Sequence, residues 1–169
     1  RSLNIVIDVA FDHEVDIERA AQMTQKTNQF NLRTKRYAVN ELEAFLSNPD
    51  YLIITISVND KYGDSGITGL AIVVAIDGGF FIDTLLMSCR IIGRNIELVF
   101  MDQIVKALKL KDSSSLLRGE FIPTKKNRLV ESYLSDCGFI ETGSNKAVAE
   151  YNVKISDYTP SGLDYIKVA

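Results

Sequence analysis

The sequence predicts a single α/β (α+β) domain, a mixed twisted sheet with helices on both faces. Two observations predict it. Strand-like runs at 51–59, 66–77 and 79–88 follow one another across short turns, and a long apolar helix over about 94–109 separates the third from another strand at 115–123. Runs joined by tight turns pair antiparallel, whereas a strand–helix–strand crossover returns the chain parallel to the strand it left. At 169 residues the chain has the size of one ordinary domain, large enough to bury a core without a metal or disulfide.

The elements follow in order. Leu3, Ile5, Ile7 and Val9 alternate with their neighbours as a half-buried strand does. Residues 15–28 read as a helix packed through Ile17, Ala20, Ala21 and Met23, and 27–34 (TNQFNLRT) as a polar, irregular connection around Phe30. Asn40 with Glu43 predicts a capping box for a second helix, whose apolar face is Leu42, Phe45 and Leu46 and whose end is Asn48-Pro49. DKYGDSG joins the first two sheet runs and Asp77-Gly78-Gly79 the next pair, both as hairpins. In the long helix Ile96, Val99, Phe100, Ile104, Ala107 and Leu108 mark the packed face. Leu98, Met101 and Val105 widen it, which predicts burial on more than one side. Pro123 closes the strand at 115–123, Asn127 can cap a short helix over 128–137, and Gly138 stops it. A last strand is expected around 147–155. The domain therefore spans 1–155, with 156–169 as a loose tail.

Composition excludes several classes. Hydrophobic residues make up 46% and charged ones 24%, with a net charge of −3, which suggests neither a nucleic-acid nor a membrane partner. Cys89 and Cys137 form no CxxC pair, so a reducing, cytoplasmic setting is expected. One histidine, His13, with no clustered Cys/His ligands argues against a metal, and a Ser-His-Asp site would need His13 as its base. The apolar run 67–76 is too short for a membrane helix, and no signal-peptide pattern precedes the first strand. Between Arg90 and Arg128, nine basic residues face four acidic ones, either a solvated rim or a surface for a phosphorylated cofactor or acidic partner.

The chemistry concentrates in the turn Arg90-Ile91-Ile92-Gly93-Arg94-Asn95. A strand-to-helix turn aims backbone N–H groups and the positive end of the helix dipole at one spot, an anion site suited to a pyrophosphate. Gly93 would allow close backbone approach. These six residues resemble the Q/R-x-x-G-x-G/A signature of GNAT acyl-CoA-dependent acyltransferases through the first five positions; Asn95 departs from the small residue usual at the sixth. Asn127, Tyr133, Gly138 and Phe139 resemble a later GNAT motif. By that resemblance Asn127 contacts the pantetheine arm and Tyr133 protonates the leaving thiolate; as residues alone, Asn127 reads equally as a helix cap and Tyr133 as packing.

Four segments, TQKTNQFN (24–31), DKYGDSG (60–66), SCRIIGRNIE (88–97) and PTKKN (123–127), are similar to the C-terminal GNAT-like domain of FkbH-like proteins. The resemblance implies loading of a glyceryl or related unit onto an acyl carrier protein for methoxymalonyl-type polyketide extender units. It also implies an N-terminal HAD-type phosphatase domain in a longer parent chain; no D-x-D-x-T occurs in this one. Carried over, Arg90, Ile92, Gly93, Arg94 and Asn95 cradle the phosphate of coenzyme A or of the carrier-protein phosphopantetheine, with Asn127 on the arm. The arm lies between the diverging parallel strands 79–88 and 115–123. Thr27, Asn28, Gln29 and Asn31 line the acyl pocket, and Asp60 and Asp64 orient substrate hydroxyls; loop and turn formation would place the same residue types there. Cys89, beside Arg90 and ahead of a helix N-terminus, is the candidate nucleophile for an acyl relay, with strand-end packing as its plain alternative. Two other functions remain open: an acetyl-CoA-dependent N-acetyltransferase and a non-catalytic module that docks a carrier protein.

Overall fold

The computed structural model describes the backbone of residues 5–60, 63–88 and 95–169, and their side chains except at 60 and 63–65. Four strands, β1 (Ile5–Phe11), β3 (Tyr51–Asp60), β4 (Gly63–Ile76) and β5 (Gly79–Met87), pair antiparallel in sequence order. Helix α3 (Ile96–Lys111) then crosses over, and β6 (Leu116–Phe121) returns parallel to β5. Beyond β6 lie β8 (Ala149–Lys154) and β7 (Ile140–Ser144), both antiparallel, and at the other edge β9 (Ile166–Val168) runs parallel to β1. The order across the sheet is β7-β8-β6-β5-β4-β3-β1-β9, with the two-residue β2 (Phe30–Asn31) added against β5.

Strand alternation divides the core between the two faces. Ile53, Leu70, Ile72 and Leu86 pack with Ala20, Ala21 and Met23 of α1 (Ile17–Lys26) and Leu42 of α2 (Val39–Leu46). Leu52, Ile54, Ile56, Ala71, Val73 and Ile82 pack in the other cluster with Phe100, Met101, Ile104 and Leu108 of α3. Phe100, Met101 and Ile104 are wholly buried, each contributing roughly 1.5–3 kcal/mol through burial. The broad apolar stripe of α3 is thereby used, its outer side covered by α4 (Tyr133–Asp136) and the C-terminal segment. Among the described residues no helix is long and apolar enough to cross a membrane, and no cluster of metal-ligating side chains occurs.

Three expectations are corrected. Helix α2 starts two residues earlier, capped at Ala38, with Glu41 Oε1 accepting the Ala38 N–H at 2.9 Å; Ala38 has no side-chain oxygen with which to complete a capping box. The helix expected over 128–137 is a short 3₁₀ turn at Arg128–Val130 followed by α4, and the Asn127 side chain does not cap it. The tail is tied down: Tyr158 Oη donates to Asp102 of α3 at 2.6 Å, Ser161 Oγ donates to the same carboxylate, and β9 adds to the sheet edge.

One irregularity shapes the middle of the sheet. The β4–β5 register passes from Val73↔Ile82 to Ile72↔Thr84, so Asp83 is an extra residue on β5. Such a bulge bends and twists its strand. Pairing between β5 and β6 covers only Gly79↔Leu116, Phe80↔Leu117 and Phe81↔Arg118, ending just before the bulge; beyond it the two parallel strands diverge. At the apex there is no spare room, since a Cβ on Gly79 would lie 2.0 Å from the Leu116 carbonyl oxygen. Gly79→Ala should therefore cost about 1–3 kcal/mol or more in chemical denaturation, as overpacked sites do; an unchanged midpoint and slope would show that the apex can relax.

Candidate active site

The gap between β5 and β6 holds a wedge made from the connection between α1 and α2. Phe30 and Asn31 pair with Met87 and Leu86 of β5. Leu32 then bridges both arms, its N–H donating to Leu85 O at 3.2 Å and its carbonyl accepting from Ile122 N at 2.9 Å. Arg33 follows. Its guanidinium donates to the carbonyl of the bulged Asp83 at 2.8 Å and to Glu120 Oε1 of β6 at 3.1 Å, and lies 4.8 Å over the Phe81 ring. The Asp83 carboxylate accepts from Tyr37 Oη at 2.6 Å and Thr84 Oγ1 at 2.8 Å. Burial, then the bond to Asp83, raises the Tyr37 pKa, so the phenol stays a donor.

Asn127 locks this wedge in place. It is fully buried; Oδ1 accepts from Thr124 N at 2.7 Å, and Nδ2 donates to the carbonyls of Asn31 and Ile122, each at 3.0 Å. Asn31 is equally occupied, donating to Thr27 O at 3.1 Å and accepting from Thr34 N at 2.9 Å. The Asn28 amide oxygen is held by Arg36, which also donates to Thr27 O at 3.0 Å. Thr27 and Asn28 are half-buried, and Gln29 is exposed. The amide groups expected to meet an acyl group or pantetheine at Asn31 and Asn127 thus bond to the protein's own backbone. Asp60 and Asp64 stand in the β3–β4 hairpin, where Asn59 pairs with Asp64 and Asp60 with Gly63; their side chains lie outside the described set.

The wide end of the gap faces the start of α3. Cys89, Arg90, Ile92, Gly93 and Arg94 lie outside the described residues. Asn95, next in line, has φ +65°. That left-handed conformation is one glycine adopts freely and asparagine tolerates better than most residues, which accounts for asparagine at a position where the motif has a small residue. The Leu98 N–H donates to Asn95 O at 3.1 Å; the Ile96 amide has no acceptor inside the helix, and the Glu97 amide meets its own carboxyl. Asn95 Nδ2 donates to Tyr165 Oη at 2.9 Å.

Phe30, Asn95, Glu97, Leu98, Leu129, Tyr133 and Asp136 line a cavity of about 260 Å³ at this point. Leu98 and Asp136 continue into a groove of about 390 Å³ that runs past Cys137 and Gly138 to Thr159 and Ser161. Tyr133 is buried, edge-on to Phe30 with ring centroids 5.0 Å apart, and donates its hydroxyl proton to the Glu97 carbonyl at 2.7 Å. Burial holds its pKa well above the usual phenol value. Burial likewise pushes the Cys137 thiol up to about 12, partly offset by its contact with the Tyr133 hydroxyl.

Sequence reasoning missed Arg33, Asp83 and Glu97. Asp83 carried a signal: a carboxylate interrupting the apolar run FFIDTLL requires a bulge or a partner. Glu97 carried none, because an acid in a helix's first turn is ordinary.

This arrangement, a mixed sheet opened between two parallel strands with a helix starting at the opening, is the GNAT acetyltransferase fold. It is similar to ribosomal-protein-S18-alanine N-acetyltransferase from Escherichia coli, with a TM-score of 0.67 and 11% identity over 93% of this chain and 98% of that one. The yncA protein of Salmonella typhimurium, solved with its cofactor acetyl-CoA, gives 0.62 and 10% identity over 93% and 99% of the two chains. A GNAT-family structure from Desulfovibrio desulfuricans gives 0.64 and 13% over 87% and 99%. No protein-family model matches the sequence, and no curated protein matches it.

Two outcomes follow from the buried groups. Asn127→Ala strands the carbonyls of Asn31 and Ile122 and should cost about 1–3 kcal/mol for each buried group left unpaired, with faster hydrogen exchange at the amides of residues 30–32. Raised burial of Cys137 means the folded chain keeps a proton that the unfolded chain releases. Its contribution is therefore present below pH 9 and lost as pH rises from 9 to about 12. Urea titrations across that range should show wild type losing more stability than Cys137→Ala.

Proposed function

We propose that the protein is an acyltransferase that draws its acyl group from a phosphopantetheine thioester, as coenzyme A or on a carrier protein. The observation that carries the reading is the divergence of β5 from β6 at Asp83, opening toward the first turn of α3. The residues present suit such a donor. The Ile96 amide, without an acceptor inside the helix, and the left-handed Asn95 supply an anion-accepting helix start, and the adjoining cavity and groove supply room for a narrow arm. Because β2 occupies the β5 edge as far as Met87, the arm would approach along the α3–α4 side of the opening rather than as a full extra strand. The chain's own contribution is to exclude water from the opening with Phe30, Leu98 and Leu129. The resemblance makes Tyr133 the proton donor.

The finer form of the proposal follows the four FkbH-like segments: glyceryl or related transfer onto the thiol of an acyl carrier protein, with Cys89 and Arg90 to Arg94 at the donor end. The Asn28 and Asn31 amides of the expected acyl pocket bond within the protein, so this form rests on the four segments alone. A second reading, acetyl-CoA-dependent N-acetyl transfer, is favoured by the fold shared with N-acetyltransferases.

Calorimetric titration with coenzyme A tests the common part. Binding is expected, weakening as ionic strength rises because phosphate recognition is screened. Absence of binding at low salt would remove the reading. Intact-mass spectrometry with acyl donors and holo carrier protein then separates its forms: acyl gain on the carrier thiol supports the finer one, and gain only on an added amine supports the second.

A further inference from the structure

Two turns beyond the end of β6 carry cations that the fold does not use. Lys125 and Lys126 stand between β6 and the 3₁₀ turn, Arg128 opens that turn, and Lys146 lies in the β7–β8 hairpin. All four are exposed. Both ion pairs among the described residues belong to Arg33, and none of the four side chains has a hydrogen-bond partner there. Lys125, Arg128 and Lys146 line one open groove of about 600 Å³, with Glu131 as the acid among its described lining residues.

The frame that displays these cations is fixed. Buried Asn127 accepts from Thr124 N at 2.7 Å, and Thr124 Oγ1 accepts from Lys126 N at 3.1 Å and Asn127 N at 3.2 Å. In the hairpin, Asn145 Oδ1 accepts from Ala147 N at 2.7 Å and Val148 N at 3.1 Å. Charges held in place at the backbone but left unpaired remain available to another molecule. The chain as a whole is acidic, at −3, so an anionic partner finds here an attraction that the net charge denies it.

The groove meets the candidate site through consecutive residues. Arg128 lines the groove, and Leu129, 45% exposed, lines the 260 Å³ cavity with Phe30 and Tyr133. An exposed apolar side chain flanked by free cations has the composition of a docking surface, apolar at the contact and charged at its rim. The cations come from three separate segments and none is buried. A small anion is instead held by polar groups converging in a concave site. Spread charge of this kind matches several carboxylates on the face of a protein.

We propose that this rim docks an acidic protein, the carrier of the phosphopantetheine arm, with its acids over Lys125, Arg128 and Lys146 and the arm passing Leu129 into the opening. The inference rests on the acyltransferase reading above and decides within it for the carrier-borne arm over free coenzyme A.

The test uses the ¹⁵N-labelled whole chain and the apo form of an acidic acyl carrier protein, which has the protein face but no arm. Amide shifts are expected at 124–130 and 144–148, with affinity falling as salt is raised. Lys125→Gln/Arg128→Gln/Lys146→Gln, all at exposed positions, should weaken carrier binding about tenfold and leave coenzyme A binding within about threefold of wild type. Lys106→Gln/Lys109→Gln/Lys111→Gln removes the same charge from exposed positions on α3 and should leave carrier binding unchanged. No carrier binding at low salt, shifts confined to other segments, or equal losses in the two triple variants would overturn the proposal. The same shifts produced by inorganic phosphate alone would mark a small-anion site and overturn it too. Calorimetry with coenzyme A separates the two levels. If wild type fails to bind it, the acyltransferase reading and this proposal fall together; if coenzyme A binds and the carrier does not, the proposal alone falls.

Discussion

Asp83 answers three demands at once. As the extra residue of β5 it bends the strand away from β6; its carbonyl accepts from Arg33, and its carboxylate is held by Tyr37 and Thr84. Opening a sheet between two parallel strands exposes backbone groups on both inner edges, and a buried backbone group without a partner is costly. Leu32 satisfies one such group on each arm, and Arg33 spans from Asp83 to Glu120. These charges are mostly shielded, with 13% of the Arg33 and 17% of the Asp83 side chain exposed, so the clamp works in a medium where hydrogen bonds to charged groups count for more than at the surface. The opening exists because the chain carries its own filler for the deep end of it.

What could be read from the sequence was whatever periodicity encodes. The β3–β4–β5 meander, the α3 crossover and parallel β6 all follow from alternation, turn residues and one broad apolar helix, and the structure has each of them. Interactions distant in sequence were not legible. The 30–33 connection reads as polar filler because its partners, at 85, 122 and 127, lie far along the chain. The segment after 155 reads as a tail because its anchors are single polar side chains, Tyr158 and Ser161 on Asp102, and a strand of three residues. Asn127 was legible as a polar residue at a helix start but not as a brace, since the backbone it serves comes from another part of the fold.

The candidate site shows the same division. The motif around Gly93 and the Asn127–Tyr133 spacing point to one end of the sheet, and the cavity containing Tyr133 and Asn95 lies there. The half-buried Glu97 beside them could not be anticipated, because an acid in the first helical turn is normally solvated and favoured by the dipole. Here Leu129, Phe30 and Tyr133 line the same cavity. The result is a run of groups from Glu97 through Tyr133 to Cys137 whose proton affinities all lie above their usual values, for the same first reason in each case, removal from water.

The wedge has an evolutionary corollary. The amide-rich residues 27–31 are continuous with Leu32 and Arg33, so a lineage cannot freely vary the connection to recognise a new ligand. Changes there disturb the strut that keeps two strands apart, and drift in this stretch should be accompanied by compensating replacements at 83, 120 and 127. Selectivity and foldability are inherited together in this chain, written into the same few residues.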